Sequence, residues 1–210
     1  MARIEQWAIN NNLIPDAQFS SGKNHSAVDC IFILKTRIDV RFKNNVCTLV
    51  LLICVKAFDR VRQNCLWRML EKLRLSKRMR NTLQTIYKHA TGMVKGDGQL
   101  SDPIPTRNGV RQGCPLSPLL FSLFISDIPK LLKEGGCTGG TLSTSQINSL
   151  LLADDLVIKA DSREELQQVL NMLSDYSGKF GLQVNESKTK VMVFSITASH
   201  LYQIINELKP

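Results

Sequence analysis

One twelve-residue stretch, Ser149–Ala160 (SLLLADDLVIKA), is largely apolar but carries two adjacent aspartates, Asp154 and Asp155, near its centre. A buried carboxylate costs several kcal/mol unless a partner compensates its charge, so the pair is expensive inside a continuous strand. Residues 141–159 therefore predict a β-hairpin with both carboxylates on or beside its turn. Such a turn can hold divalent cations, because Mg²⁺ prefers hard oxygen ligands. When the dipeptide is taken alone, a solvated turn is the better explanation of it.

A second apolar run, Val46–Val55 (VCTLVLLICV), is too short to span a membrane and predicts a buried strand. A Gly-Asp-Gly turn predicts a hairpin within residues 92–110, and 188–194 has the pattern of a strand. Helices alternating with hairpins predict an α+β domain with an antiparallel sheet. Apolar residues at helical spacing predict helices at 26–38, 62–75, 76–90, 117–136 and 162–182.

Basic residues outnumber acidic residues by 27 to 18, which gives a formal net charge of +9. This excess favours a polyanionic partner, with nucleic acid as the first candidate and an anionic membrane surface as the second. The six cysteines form no C-x-x-C pair, which favours a reducing intracellular setting, nucleus or cytoplasm. No signal peptide and no membrane-length apolar run is found, so we expect neither secretion nor a membrane partner.

The segment Asn108–Pro129 combines a glycine-bearing loop with the start of a helix. Free backbone N–H groups at a helix start favour phosphate. Arg111 adds a guanidinium, Gln112 adds an amide that could contact a nucleotide, and Gly113 permits a close approach of the backbone. An ordinary helix start that is capped by Ser and Pro explains the same residues.

Five segments now occur in a familiar order, and together they cover about residues 3–194. QFSSGKNHSAVD (Gln18–Asp29) and KAFDRV (Lys56–Val61) come first. GVRQGCPLSPLLFSLFI, INSLLLADDLVI and GLQVNESKTKVMVF follow. This series resembles the reverse transcriptases of non-LTR (LINE-like) retrotransposons.

The resemblance implies a polymerase palm, in which an antiparallel sheet packs on helices, with part of the fingers and no thumb. Residues 1–45 would be partial fingers, 46–194 the palm, and 195–210 a divergent and poorly ordered tail. The implied activity is RNA-templated DNA synthesis. The implied partners are an RNA template, a DNA primer and deoxynucleoside triphosphates, and the oligomeric state is left open.

The resemblance also implies roles for individual residues. Asp154 and Asp155 would be the catalytic aspartates that bind two Mg²⁺ ions. Phe58 would be the steric gate that collides with a 2′-hydroxyl, although a core aromatic explains this residue equally. Arg111, Gln112 and Gly113 would line the nucleotide pocket. Lys188 would assist the departure of pyrophosphate, although an exposed lysine is an equal account.

The sequence departs from the family pattern at a critical position. The first palm block of the family opens with an aspartate that bridges both metals, and Ile53 stands there in this chain. Isoleucine cannot ligate a cation, so catalysis should fall by several decades. Leu152 replaces an aromatic residue, and SSGKNH (Ser20–His25) lacks the arginines of the fingers block.

Three interpretations follow from these departures. The chain is a catalytically impaired reverse transcriptase fragment, or it is a competent polymerase whose residue 53 reflects a sequencing or gene-model error. Alternatively it is a non-catalytic nucleic-acid-binding domain on a palm scaffold. The basic helix 76–90 would suit that last role, although a solvated helix face explains the same charges.

Overall fold

The computed structural model describes residues 2–20, 26–43, 48–54, 58–137, 141–142, 145–146, 148–185 and 189–194. The helices are α1 (Ala2–Asn10), α2 (Ala27–Lys43), α3 (Gln63–Lys72), α4 (Lys77–Lys88), α5 (Ser117–Phe124), α6 (Ile128–Glu134) and α7 (Arg163–Phe180). The strands are β1 (Thr48–Cys54), β2 (Thr91–Gly92), β3 (Lys95–Gly96), β4 (Gln99–Leu100), β5 (Ile104–Pro105), β6 (Thr141–Leu142), β7 (Ser145–Gln146), β8 (Ser149–Leu152), β9 (Asp155–Ala160) and β10 (Lys190–Phe194).

The main sheet has four strands in the order β10-β1-β9-β8, and every pair in it is antiparallel. The apolar run at 46–55 therefore supplies an inner strand, as predicted. The segment Ala17–Phe19 adds a short parallel contact at the outer edge of β8. There the Leu151 N–H donates to the Ala17 carbonyl at 2.7 Å, and the Phe19 N–H donates to the Leu151 carbonyl at 2.8 Å.

Side chains alternate between the two faces of the sheet, and each face packs against its own apolar cluster. Leu156, Ile158 and Ala160 join the larger apolar cluster, which includes residues of α3, α5 and α7. Leu150 and Val157 join a smaller cluster with residues of α2. The predicted α+β fold with an antiparallel sheet packed on helices is confirmed.

Most predicted helices form where periodicity placed them, and their ends have local causes. The Ser162 hydroxyl accepts from the Glu165 N–H at 3.1 Å and caps the start of α7. The Ser76 hydroxyl accepts from the Met79 N–H at 3.4 Å at the start of α4. The Asp97–Gly98 turn joins β3 to β4, as the Gly-Asp-Gly signal predicts.

The prediction of one continuous helix over 117–136 was wrong. The structure has α5 and α6, with residues 125–127 in turns between them. Pro129 has no N–H and could not donate to the Ile125 carbonyl, so a continuous helix would lose a bond there. The Ile128 N–H instead donates to the Ile125 carbonyl at 3.1 Å, which closes a tighter turn.

The division into 1–45, 46–194 and 195–210 stays a prediction, and residues 195–210 lie outside the described part of the chain. None of the helices in the described ranges combines the length and the apolar character that a membrane crossing requires.

Candidate functional site

The aspartate pair lies at the turn of the β8–β9 hairpin. Leu152 pairs with Asp155, and Ala153 and Asp154 form the turn between them. Ala153 has a φ of 54°, a left-handed conformation that costs an L-residue about 1 kcal/mol, so the flanking ladder must hold it. The Asp154 side chain is exposed and Asp155 is half-buried, so the turn presents carboxylate oxygens at the rim of the sheet.

The register of β1 against β9 places residue 53 beside this turn. Residue 53 pairs with Leu156, and residue 54 pairs with Asp155. Directly opposed residues in an antiparallel ladder have Cα atoms about 4.5–5.5 Å apart. The position at which the family carries its first palm aspartate is therefore one rung from Asp155.

A second part of the site forms where the segment after β1 meets the loop before α5. The Val110 N–H donates to the Phe58 carbonyl at 2.7 Å, and the Gly109 N–H donates to the Val61 carbonyl at 2.8 Å. The Gln112 amide nitrogen donates to Asp59 Oδ1 at 2.6 Å. We call these two segments, residues 58–63 and 106–113, the pocket wall.

Gly109 is what allows the two segments of the pocket wall to approach this closely. Its φ is +82°, and a Cβ there would lie 2.9 Å from the Asp59 Cα and 2.9 Å from the Phe58 carbonyl oxygen. Both contacts are with backbone, which cannot swing away as a side chain can. The glycine of the NGV sequence is thus required by conformation and by space.

Phe58 is half-buried, and its ring stacks on the Phe121 ring of α5 with centroids 4.9 Å apart. Phe121 itself is fully buried. The Phe58 ring therefore packs against the core and also leaves part of its surface exposed. Both accounts given for this residue, core aromatic and nucleotide gate, are compatible with the packing.

Arg111, Gln112 and Gly113 are exposed, and the loop that they form is anchored to α5. The Arg111 carbonyl accepts from the Ser117 hydroxyl at 2.6 Å and from the Cys114 N–H at 3.2 Å. The sequence predicted that Gln112 contacts a nucleotide, and it gave no sign of the hydrogen bond to Asp59. The two residues are 53 positions apart, and no local pattern links them.

Three of the predicted features lie outside the described residues. Lys188 is one, and most of the SSGKNH block at 21–25 is another. Residues 55–57, which connect β1 to Phe58, are the third. The four steps from residue 54 to residue 58 span at most about 14 Å. The pocket wall is therefore tethered within that reach of the position paired with Asp155.

Within the described ranges no group of three or more His, Cys, Asp or Glu side chains is placed to hold a metal ion. The two acids nearest to residue 53 in sequence have other partners. Asp39 pairs with Lys35 at 2.6 Å on α2, and Asp59 accepts from Gln112. Neither acid supplies the carboxylate that is missing at position 53.

An antiparallel sheet with an acidic hairpin turn at its rim and helices on both faces has the architecture of a polymerase palm. Solved structures agree with this class. Apo telomerase from Candida tropicalis, truncated from its C-terminal domain, superposes with a TM-score of 0.70 at 20% identity, over 97% of this chain and 42% of that one. Telomerase from the same organism in complex with a TWJ fragment of telomeric RNA gives 0.69 at 18% identity, over 97% and 35%.

The chain belongs to the reverse transcriptase (RNA-dependent DNA polymerase) family, whose sequence model matches residues 1–204. The Pol polyprotein of the type-1 retrotransposable element R2 from Nasonia vitripennis is 35% identical over 136 residues, 63% of this chain and 13% of that protein. A probable RNA-directed DNA polymerase from transposon BS of Drosophila melanogaster is 28% identical over 196 residues, 89% of this chain and 21% of that protein. The resemblance to non-LTR retrotransposon reverse transcriptases is confirmed, and the chain spans only a small share of these relatives.

Proposed function

We propose that this chain carries the palm site of an RNA-directed DNA polymerase and that Ile53 leaves the site catalytically impaired. The observation that carries the proposal is the register of β1 against β9, which sets residue 53 one rung from Asp155. In the family pattern an aspartate at this position joins the pair at the β8–β9 turn. Among the described residues, no other acid joins the two carboxylates of the turn in a group of three.

Polymerases of this family use divalent metal ions. The donors at the turn fit Mg²⁺ in part, because Mg²⁺ keeps several waters and is often held by only one or two carboxylates together with substrate phosphates. Asp154 and Asp155 would hold the two ions of the family. When bound, the ions neutralise charge on the triphosphate and on the attacking oxygen. Weakened binding is expected because the third carboxylate is missing.

The pocket wall supplies the remaining contacts to an incoming deoxynucleoside triphosphate. The exposed Arg111 guanidinium attracts phosphate, and the exposed edge of Phe58 opposes a 2′-hydroxyl. Gln112 holds Asp59 with one of its two amide N–H donors, which leaves the second N–H and the amide oxygen for a ligand. Lys188 is proposed to assist the release of pyrophosphate.

The template would be RNA and the primer DNA, as the family description supports. The Candida tropicalis telomerase that was solved with telomeric RNA supports an RNA partner on the same fold. An intracellular location, nucleus or cytoplasm, is part of this proposal. It is supported by the free thiols of Cys30, Cys65, Cys114 and Cys137.

The test is primer extension by the purified chain with Mg²⁺, an RNA template, a DNA primer and all four deoxynucleotides. We expect no measurable product. A parallel titration follows Mn²⁺ by electron paramagnetic resonance, with Asp154→Asn/Asp155→Asn as the comparison. Weak Mn²⁺ binding that this double variant abolishes supports the assignment of the turn. Robust metal-dependent extension by the unchanged chain would overturn the claim of impairment.

A competent polymerase with a gene-model error at residue 53 is the alternative that the sequence left open. The same register supports it, since an aspartate codon there would complete the site. Sequencing the transcript across codons 48–58 decides between the two.

A further inference from the structure

The positive charge of this protein is concentrated in one short part of the chain. Residues 62–88 contain eight basic residues and one acid, a net +7 of the chain's +9. This segment is the α3–α4 helical hairpin. Candidate-site residues Phe58, Arg111, Asp154 and Asp155 all lie outside it. A concentration of this kind is the electrostatic signature of a polyanion-binding surface.

Two of these basic residues are used within the fold. Arg80 pairs with Glu71 at 2.7 Å, and Lys72 pairs with Asp127 at 3.2 Å. The other six basic side chains of the segment are exposed and make no ion pair with an acid in the described part of the chain. These are Arg62, Arg68, Arg74, Lys77, Arg78 and Lys88. Their charge is therefore available to an external ligand.

A groove of about 630 Å³ runs along the outer face of α4. From Lys77 to Ile86 the helix rises about 13 Å, which is close to the axial rise of four nucleotides in one strand. The buried residues of α4, Leu83 and Tyr87, lie on the opposite face. The groove is lined by Lys77, Arg78, Asn81, Thr82, Thr85 and Ile86.

The two threonines in the groove give it a chemical preference. The Thr82 hydroxyl donates to the Arg78 carbonyl at 3.0 Å, and the Thr85 hydroxyl donates to the Asn81 carbonyl at 2.9 Å. Each hydroxyl hydrogen is thus engaged, so each oxygen can only accept a further bond. A phosphate offers no donor, whereas a ribose 2′-hydroxyl does.

We propose that the α4 groove binds the ribose–phosphate backbone of an RNA strand. Lys77 and Arg78 contact phosphates, and the oxygens of Thr82 and Thr85 accept from 2′-hydroxyl groups. Charge complementarity favours a nucleic acid, and the acceptor-only threonines favour RNA over DNA. The inference extends the proposed function, from which it takes only the presence of RNA, and it requires neither the aspartates nor a metal.

The test measures fluorescence anisotropy of the full chain with a 20-nucleotide single-stranded RNA and with DNA of the same sequence. Chelator is present and nucleotides are absent, so catalytic failure leaves the result unaffected. The variant Lys77→Gln/Arg78→Gln should lose about tenfold in RNA affinity at 0.1 M salt. The salt slope should fall by about 1.4, the value for two phosphates on a single strand. Lys133→Gln/Lys190→Gln, two exposed lysines elsewhere, is the matched control and should change affinity less than twofold.

A separate variant tests the contribution of the two threonines to RNA binding. Thr82→Val/Thr85→Val keeps the side-chain shape and removes both acceptors, so RNA affinity should fall about fivefold while DNA affinity stays constant. Circular dichroism and thermal melting confirm that each variant folds, since all the substituted residues are exposed. Equal RNA binding by the Lys77/Arg78 variant and the unchanged chain would overturn the proposal. Three other results would also overturn it. The lysine control could lose as much affinity as the Lys77/Arg78 variant, or the unchanged chain could bind RNA and DNA equally. The unchanged chain could also bind phosphatidylserine vesicles more tightly than RNA.

Discussion

The pocket wall and the aspartate turn belong to one candidate site, but they differ in how firmly the fold depends on them. The wall is joined by backbone bonds from Gly109 and Val110, a side-chain bond from Gln112, and the Phe58–Phe121 stack. The turn projects two carboxylates that make no comparable contribution to the core. One part is built into the structure, and the other only presents groups to a ligand.

This difference indicates which residues can change without loss of the fold. A residue of the pocket wall is held by packing, so its replacement lowers the free energy of unfolding. In the proposed site, an aspartate at position 53 would repel the neighbouring carboxylates in the absence of metal, so we expect Ile53 to cost the fold little. A palm domain can therefore lose catalytic activity and still keep its fold.

The largest effect is expected for Ile53→Asp, which would place a third carboxylate next to the β8–β9 turn. We expect metal-dependent primer extension to rise by at least about a hundredfold, since a gain of about 3 kcal/mol in the transition state corresponds to that factor. Mn²⁺ affinity should rise as well. Without metal the variant should unfold at a lower temperature, and Mn²⁺ should reverse that loss through binding to the folded state.

Ile53→Asn is the matched control for this experiment. It places on the strand a neutral amide that has the shape of aspartate without its charge. It should restore neither extension nor Mn²⁺ affinity. If both variants behave alike, the register does not define a metal site and the comparison between wall and turn fails.

The second effect is on stability, and it concerns two glycines of the pocket wall. Gly109→Ala should lower the free energy of unfolding by about 3 kcal/mol, because it combines left-handed strain with a clash against backbone. Gly113 has a φ of +76° and open space around its Cβ position, so Gly113→Ala should cost only about 1 kcal/mol. Urea denaturation of both variants measures the difference. Equal losses would show that the close approach at Gly109 is unimportant.

The third effect tests the two accounts of Phe58. Phe58→Ala should lower the free energy of unfolding by about 2 kcal/mol, less than for a fully buried ring, because the stack on Phe121 is lost. Measured in the Ile53→Asp background, the same change should also increase the incorporation of ribonucleotides relative to deoxynucleotides. Phe58→Leu keeps much of the apolar contact and serves as the control. A stability loss without altered sugar selection would leave Phe58 as a core residue only.

The smallest effect lies away from the site, at the junction of α5, α6 and α7. The Tyr176 hydroxyl donates to Asp127 Oδ1 at 2.7 Å, and burial, together with the nearby Asp127 charge, raises the pKa of Tyr176. Tyr176→Phe should cost about 1 kcal/mol at neutral pH.

The pH dependence of this residue has a definite sign. A raised pKa means that the folded state holds the proton more tightly than the unfolded chain does. Its contribution is complete below the unfolded tyrosine value, about 10, and is lost as the pH rises above it. Tyr176→Phe should therefore make stability less sensitive to pH above about 10. An unchanged alkaline slope in urea titrations would contradict this assignment.

Local sequence determined much of the secondary structure and the nature of the turn. An apolar run that is interrupted by Asp154 and Asp155 can bury its flanks only as a hairpin, and the structure has that hairpin. Ser162 and Ser76 could be recognised as helix caps because capping uses groups only three residues apart. The break at Pro129 was also signalled locally, and our prediction gave it too little weight.

Tertiary structure alone decided how these elements meet. Sheet order placed β1 between β9 and β10, and so put residue 53 opposite Leu156. Tertiary packing also brought Gln112 to Asp59 and Tyr176 to Asp127. The members of the two hydrogen-bonded pairs are 53 and 49 residues apart in the sequence, and residue 53 and Leu156 lie on strands that are far apart in the sequence. Such contacts depend on the simultaneous packing of many side chains, whereas caps, turns and periodicity depend on neighbours within one turn or one strand.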